Sequence, residues 1–246
     1  MKLLLEIAYL GSAYHGYQTQ ANAVTVQCTL QKSLEEFYGV PLTLTGCSRT
    51  DAGVHARSYF LTVEGELYEN MPPDKLPLAL GKFLPEDISV LGARRVEDSF
   101  HARYDVEYKE YEYLIWNAPV MSPFYVKRAW HCPVPLDTAL MNSSAKLFIG
   151  KKDFASFMAQ GSPVSSTVRT IKDFSVEREG ELVKIRVSAD GFLYNMVRIL
   201  SGTLVNISQG RISPSQVEQI IASRDRRMAG MTLPPDGLYL NKVVYK

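Results

Sequence analysis

The sequence is poor in cysteine, and the few cysteines form no recognisable pattern. Its 246 residues include only Cys28, Cys47 and Cys132, with no Cys-x-x-Cys pair. This spacing argues against a disulfide framework and against a structural zinc site, because both need paired or closely spaced cysteines. We therefore expect buried thiols in a reducing compartment.

Long apolar runs are also missing. The leucine-rich segment at residues 3–8 contains Glu6 and is shorter than the apolar part of a secretion signal. No segment approaches the roughly 20 apolar residues that a membrane-spanning helix requires. We therefore expect a cytoplasmic protein that has no membrane partner.

Charge of one sign is not in excess. The chain has 27 Lys and Arg residues against 26 Asp and Glu residues, a formal net charge of +1. This balance argues against a histone-like basic arm, although a basic face offset by acids elsewhere can still bind nucleic acid. Motifs for nucleotide and dinucleotide binding are absent, and the four histidines lack metal-ligand spacing. We expect no cofactor and no metal.

The hydrophobic periodicity of the first hundred residues predicts a β-α-β-β-α-β order, which is the ferredoxin-like pattern. The predicted strands are residues 3–9, 42–47, 59–63 and 88–96, and the predicted helices are residues 26–37 and 74–83. Gly39 and Pro41 are expected to end the first helix.

The second part of the chain repeats this order with different residues. Its predicted strands are residues 110–116, 171–176, 183–187 and 238–245, and its predicted helices start at Asp137, Met196 and Ser213. The pattern predicts an α+β protein of two lobes, residues 1–103 and 104–246, each with a mainly antiparallel sheet.

The densest group of polar residues is the segment Ser48-Arg49-Thr50-Asp51-Ala52-Gly53-Val54-His55-Ala56-Arg57, between two predicted strands. Neighbouring positive charge favours the ionised carboxylate of Asp51. Gly53 permits a tight turn or the close approach of a ligand. The alternative is an ordinary Asx-turn, in which Asp51 only accepts hydrogen bonds from backbone amides downstream.

Two further segments have a functional and a structural interpretation. Arg198 stands in the first turns of an apolar helix, where an unpaired charge is costly to bury; the alternative is an arginine that extends to solvent. In the strand that contains Tyr111, tyrosines alternate with charged residues. They suit either base stacking on a sheet or cross-strand packing.

Six motifs in the order of the chain resemble those of the TruA-type tRNA pseudouridine synthases. They are Tyr14-His15-Gly16-Tyr17-Gln18; Arg49 to Ala56; Phe100-His101-Ala102-Arg103 with Tyr111-x-Tyr113; Asp153-Phe154-Ala155-Ser156-Phe157; Gly191-Phe192-Leu193 with Met196-Val197-Arg198; and Gly237-Leu238-Tyr239-Leu240. The sequence departs from the family pattern at Tyr17, where Trp or Phe is usual, and at Cys47-Ser48, where Ala-Gly is usual.

The resemblance implies the pseudouridine synthase fold, with the active-site cleft between two ferredoxin-like lobes. It implies a homodimeric isomerase that converts uridine to pseudouridine at positions 38 to 40 of the tRNA anticodon stem-loop. It also implies that Asp51 is the catalytic residue and that Tyr111 lies against the target base.

The reaction breaks the N1–C1′ bond of uridine, turns the base and rejoins it through C5, which requires no redox cofactor or metal. We expect Arg198 to pair with Asp51 and hold its carboxylate ionised. Arg49 and Arg103 are expected to contact phosphates or fill the space left by the flipped base, and His55 to belong to the same substrate-binding set. Whether Asp51 attacks C1′ or removes the C2′ proton stays open.

Three other functions fit parts of the sequence. A non-catalytic RNA-binding module could use the tyrosines and basic clusters, but it has no need for an acid between arginines. A glycoside hydrolase requires a second catalytic acid, and no partner carboxylate has a comparable setting. The same isomerisation on another RNA, or at other positions, is the strongest alternative.

Overall fold

In the computed structural model, which describes residues 2–67, 71–161 and 164–246, the chain divides into two compact units. The first unit contains the residues up to Glu107 together with Tyr239–Lys246, and the second contains Tyr108–Leu238. The predicted lobes, residues 1–103 and 104–246, follow the order of the chain, whereas the structure places the C-terminal strand with the first unit.

Strands and helices are numbered in the order of the chain. The strands are β1 (Lys2–Tyr9), β2 (Thr43–Gly46), β3 (His55–Glu64), β4 (Ile88–Val96), β5 (Val106–Trp116), β6 (Trp130–His131), β7 (Gly150–Asp153), β8 (Val168–Glu179), β9 (Leu182–Ala189) and β10 (Leu238–Tyr245). The helices are α1 (Val26–Tyr38), α2 (Leu76–Leu80), α3 (Thr138–Ala145), α4 (Met196–Ser208) and α5 (Val217–Ser223).

The sheet of the first unit is ordered β4–β1–β3–β10, with β2 alongside β3. Strands β1, β2, β3 and β4 pair antiparallel, which is the arrangement expected for a β-α-β-β-α-β order. Strand β10 runs parallel to β3, with Tyr239 opposite His55 and Leu240 opposite Ala56. This pairing brings the C-terminal residues beside the start of β3.

Helix α1 ends at Gly39, as the sequence predicts, and it begins at a capping residue that the sequence analysis did not single out. The Thr25 side chain accepts a hydrogen bond from the Cys28 N–H at the start of the helix, and Gly39 ends it in the left-handed conformation, with φ +69°. Helix α2 is shorter than the predicted helix 74–83. The segment begins as a 3₁₀ turn at Pro73–Lys75 and continues as α-helix only to Leu80. Pro77, which has no N–H to donate, lies in the first turn of this α-helix.

The second unit contains the antiparallel sheet β5–β9–β8–β7, with β6 parallel to β5. Asp137 caps α3 by accepting a hydrogen bond from the Leu140 N–H, and α4 is buried along most of its length. The core of this unit includes edge-to-face ring contacts among Phe148, Phe154, Phe157 and Phe174. The predicted α+β class with mainly antiparallel strands is confirmed. Within the described ranges, no helix has the length and apolar character needed to cross a membrane.

Candidate active site

The segment that carries Asp51 is a tight turn between β2 and β3. The Val54 N–H donates to the Asp51 carbonyl at 3.1 Å, and Gly53 has φ +82°, a conformation that favours glycine. The Gly53 N–H donates to the Tyr14 carbonyl at 3.2 Å. The turn therefore depends on contacts with a distant part of the first unit.

Residues 11–17 pack against this turn and form hydrogen bonds with it. The Tyr17 N–H donates to the Thr50 carbonyl at 3.2 Å, and the hydroxyl groups of Tyr9 and Thr50 lie 2.8 Å apart in a hydrogen bond. A Cβ on Gly16 would lie 2.5 Å from the Thr50 carbonyl oxygen, and one on Gly11 would lie 2.0 Å from that of Val54. Glycine at both positions lets the two backbones approach closely enough to fix the turn.

Replacing Gly16 by Ala is expected to disturb this support. Gly16 has φ +88°, so alanine there suffers both left-handed strain and contact with the Thr50 carbonyl. We expect a loss of about 2–4 kcal/mol in unfolding free energy and at least about tenfold in kcat, since Thr50 precedes Asp51. Gly39→Ala is the matched control, because Gly39 has φ +69° but nothing within 4 Å of the added methyl group. Equal effects of the two substitutions on kcat would contradict a specific role for the packed backbones.

The two departures from the family pattern lie beside the Asp51 turn. The Tyr17 ring stacks on Tyr59 at 4.2 Å between centroids, and the Tyr59 hydroxyl donates to the Ser48 carbonyl at 2.6 Å. Cys47 is buried, and its Sγ accepts from the Phe60 N–H at 3.4 Å. Burial raises the pKa of both the Tyr17 and Tyr59 hydroxyl groups. Tyr17, Cys47 and Ser48 thus belong to the packing that holds the turn to β3.

His55 is fully buried at the start of β3. Its Nδ1 accepts a hydrogen bond from the Gly11 N–H at 2.9 Å, and its ring stacks on Tyr239 of β10 at 4.6 Å. The Arg57 guanidinium lies 4.6 Å from the Tyr239 ring centroid and donates to Asn241. These contacts link residue 11, the Asp51 turn and the C-terminal strand, while the substrate-binding role of His55 stays a prediction.

Arg49 and Arg103 both have exposed side chains in the first unit. Arg49 is two residues before Asp51, on the solvent side of the turn. Arg103 lies in a turn whose backbone N–H groups at Arg103 and Tyr104 donate to Nδ1 of His101, at 3.1 and 3.3 Å. The Tyr104 ring beside it is 70% exposed. Exposed guanidinium groups are able to bind RNA phosphates. The specific roles of Arg49 and Arg103 in substrate binding stay predictions.

In the second unit, Tyr111 lies on β5 opposite Val187 of β9 and is almost fully buried. Its ring makes an edge-to-face contact with Phe192 at 5.0 Å between centroids. Phe192 belongs to the segment that connects β9 to α4. That segment therefore contacts Tyr111 a few residues before it reaches Arg198.

Arg198 is held by two acceptors within the second unit. Its Nε donates to the Leu233 carbonyl and its Nη1 donates to Oδ1 of Asn195, both at 2.7 Å. This geometry excludes the alternative of an arginine that merely extends to solvent. The buried Tyr113 hydroxyl donates to the Pro234 carbonyl at 2.7 Å; burial raises its pKa, and the positive charge of Arg198 opposes that shift.

The structure thus places Asp51, Arg49, His55 and Arg103 in the first unit and Tyr111 and Arg198 in the second. Sequence reasoning missed Asn195, Tyr113 and the Leu233 carbonyl as partners in the surroundings of Arg198. The motif Tyr194-Asn195-Met196-Val197-Arg198 contains the signal for Asn195, since Asn195 lies three residues before Arg198 at the start of a predicted helix.

Comparison with known proteins decides the family. The model of the tRNA pseudouridine synthase family matches residues 7–105 and 144–246. The chain belongs to this family. The tRNA pseudouridine synthase A of Thermoanaerobacter sp. (strain X514) is 44% identical over 243 residues, which cover 99% of each chain. That of Acetivibrio thermocellus is 43% identical over 248 residues, covering 100% of this chain and 99% of the relative. That of Brevibacillus brevis is 40% identical over 244 residues, covering 99% of both.

The resemblance to TruA-type tRNA pseudouridine synthases is therefore confirmed, and with it the isomerase class. The family model does not extend over residues 106–143, the part of the chain that includes Tyr111. The relatives align across nearly the whole chain, with this part included.

Proposed function

We propose that this protein isomerises uridine to pseudouridine at positions 38 to 40 of the tRNA anticodon stem-loop, with Asp51 as the catalytic residue. The observation that carries the proposal is the Asp51 turn, which is fixed by two close glycine contacts and by hydrogen bonds from Tyr17 and to Tyr14. A carboxylate that reacts with one sugar atom of a flipped nucleotide must be held in a fixed position, which requires a rigid backbone around it.

The other candidate site residues position the Asp51 carboxylate, contact the flipped base and bind the RNA phosphates. Arg198 pairs with the carboxylate of Asp51 and keeps it ionised and aimed. Tyr111 packs on the flipped uracil and excludes water from the reacting sugar. Arg49 and Arg103 bind the phosphates around the flipped nucleotide, where charge-assisted hydrogen bonds offset part of the few-kcal/mol cost of unstacking.

The chemistry is a balanced rearrangement. The N1–C1′ bond breaks, the uracil turns while it is still enclosed, and a C5–C1′ bond forms. The C5 proton then leaves, and N1 gains one. Asp51 either attacks C1′ or removes the C2′ proton, and both routes use the same ionised carboxylate. We further propose that the enzyme acts as a cytoplasmic homodimer, as the family resemblance implies.

The proposal is tested with the purified protein and an anticodon stem-loop transcript. We expect uridine at positions 38, 39 or 40 to be converted without added metal or nucleotide, and conversion to cease when cytidine replaces the uridine. Pseudouridine is detected by carbodiimide labelling and primer extension. Conversion confined to another stem-loop would favour the alternative of the same reaction on a different RNA, and tight binding without conversion of any RNA would favour a binding module.

A further inference from the structure

Asn195 starts helix α4 in a conformation that works against an ordinary helix start. It has φ +59° and ψ +9°, the left-handed region, whereas N-cap residues are usually extended. Its side chain accepts no hydrogen bond from the backbone of the helix that it begins. Asparagine at this position usually caps the helix through its side chain. Here the Asn195 side chain makes a different contact.

That contact is with Arg198. Because a guanidinium group has only N–H donors, the atom of Asn195 that lies 2.7 Å from Nη1 must be the amide oxygen. The left-handed backbone turns this oxygen toward the guanidinium. The hydrogen bond to Arg198 therefore offsets part of the free-energy cost of the left-handed backbone at Asn195.

The second acceptor of Arg198 is equally well fixed. The Leu233 carbonyl that accepts from Nε belongs to a segment that packs against α4, and the Leu233 N–H donates back to the Arg198 carbonyl at 3.3 Å. A Cβ on Gly202 would lie 1.9 Å from the Met231 carbonyl oxygen, so glycine is needed for this approach. With Nε and Nη1 both tied to fixed acceptors, the plane and direction of the guanidinium group are set.

We propose that Asn195 is a positioning residue for the isomerisation, acting through Arg198. Its amide oxygen holds the guanidinium in the orientation in which that group meets the reacting centre. The inference rests on the proposed function, since it assumes that Arg198 serves turnover.

Asn195→Gly tests this directly, because glycine adopts the left-handed conformation without strain and removes only the acceptor. We expect kcat to fall about ten- to a hundredfold, which is the range for the loss of one hydrogen bond to a charged group. KM should not change, and the melting temperature should stay the same or rise slightly. Asn195→Asp retains the acceptor oxygen and should restore most of the activity. A loss that comes with a lower melting temperature and that Asp does not rescue would overturn the proposal.

A double-mutant cycle separates this role from other effects. In the Arg198→Met background, measured under single-turnover conditions, adding Asn195→Gly should lower the rate by less than about twofold. Full additivity would overturn the proposal, because Asn195 would then act without Arg198. If Asp51→Asn and Arg198→Met both keep wild-type activity, the proposed function fails; if they do not but Asn195→Gly keeps wild-type kcat, this inference alone fails.

Discussion

Asp51→Asn is expected to reduce isomerisation of an anticodon stem-loop by about a thousandfold or more, the effect expected when a reaction loses its nucleophile or base. Asparagine has nearly the same shape, so the turn at Val54 and Gly53 should survive. Neither attack on C1′ nor removal of the C2′ proton is open to an uncharged amide. The measurement is single-turnover conversion of stem-loop RNA, together with the dissociation constant of the complex and the melting temperature.

Asp74→Asn provides the matched control for Asp51. Asp74 has a 71% exposed side chain in the same unit, and its substitution should leave activity, affinity and melting temperature unchanged. Retention of more than a tenth of wild-type activity by Asp51→Asn would contradict the catalytic assignment. A large loss of affinity without a loss in the single-turnover rate would instead make Asp51 a binding residue.

Arg198→Met is expected to lower kcat by about a hundredfold or more and to change RNA affinity by less than about threefold. Methionine fills much of the same space but cannot donate to the Leu233 carbonyl or to Asn195. If Arg198 holds Asp51 ionised and aimed, its loss reaches the chemical step and barely affects binding. The measurement separates the two through single-turnover rates and equilibrium binding.

Arg227→Met is the control for Arg198 in the same unit. The Arg227 side chain is 89% exposed and pairs with Asp225, whose pKa this contact lowers to about 2. Its removal should leave the single-turnover rate unchanged. The opposite pattern for Arg198→Met, with affinity falling more than the rate, would identify Arg198 as a contact to the RNA backbone.

Local signals in the sequence predict the elements whose start and end are set by nearby residues. Gly39 ends α1 and Asp137 begins α3, as predicted, because a cap depends on residues within one turn of itself. Strands β4 and β10 have the predicted bounds of residues 88–96 and 238–245.

Elements that depend on distant partners are less visible in the sequence. Strand β7 contains Lys151, Lys152 and Asp153, residues with low strand propensity, and it forms by pairing with β8. Strand β3 begins at His55, four residues before the predicted start, where it pairs in part with the C-terminal strand β10. Pairing between remote segments extends strands beyond what local pattern indicates.

The candidate site likewise combines features that the local sequence indicates with features that depend on distant contacts. The motif around Asp51 stands out in the sequence because an acid, two arginines and a glycine occur together. The supports of the site do not stand out: the Leu233 carbonyl is 35 residues from Arg198, and backbone atoms carry no side-chain signal. Likewise, the need for glycine at position 16 follows from a contact with Thr50 that only the folded chain contains.

The most direct test of the account is pseudouridine mapping of total RNA from cells with and without this protein, with complementation by the wild-type protein and by Asp51→Asn. We expect pseudouridine at positions 38 to 40 of tRNAs to disappear when the protein is absent, to return with the wild-type chain and not to return with Asp51→Asn. Unchanged pseudouridine at these positions, with loss at other sites or at none, would contradict it.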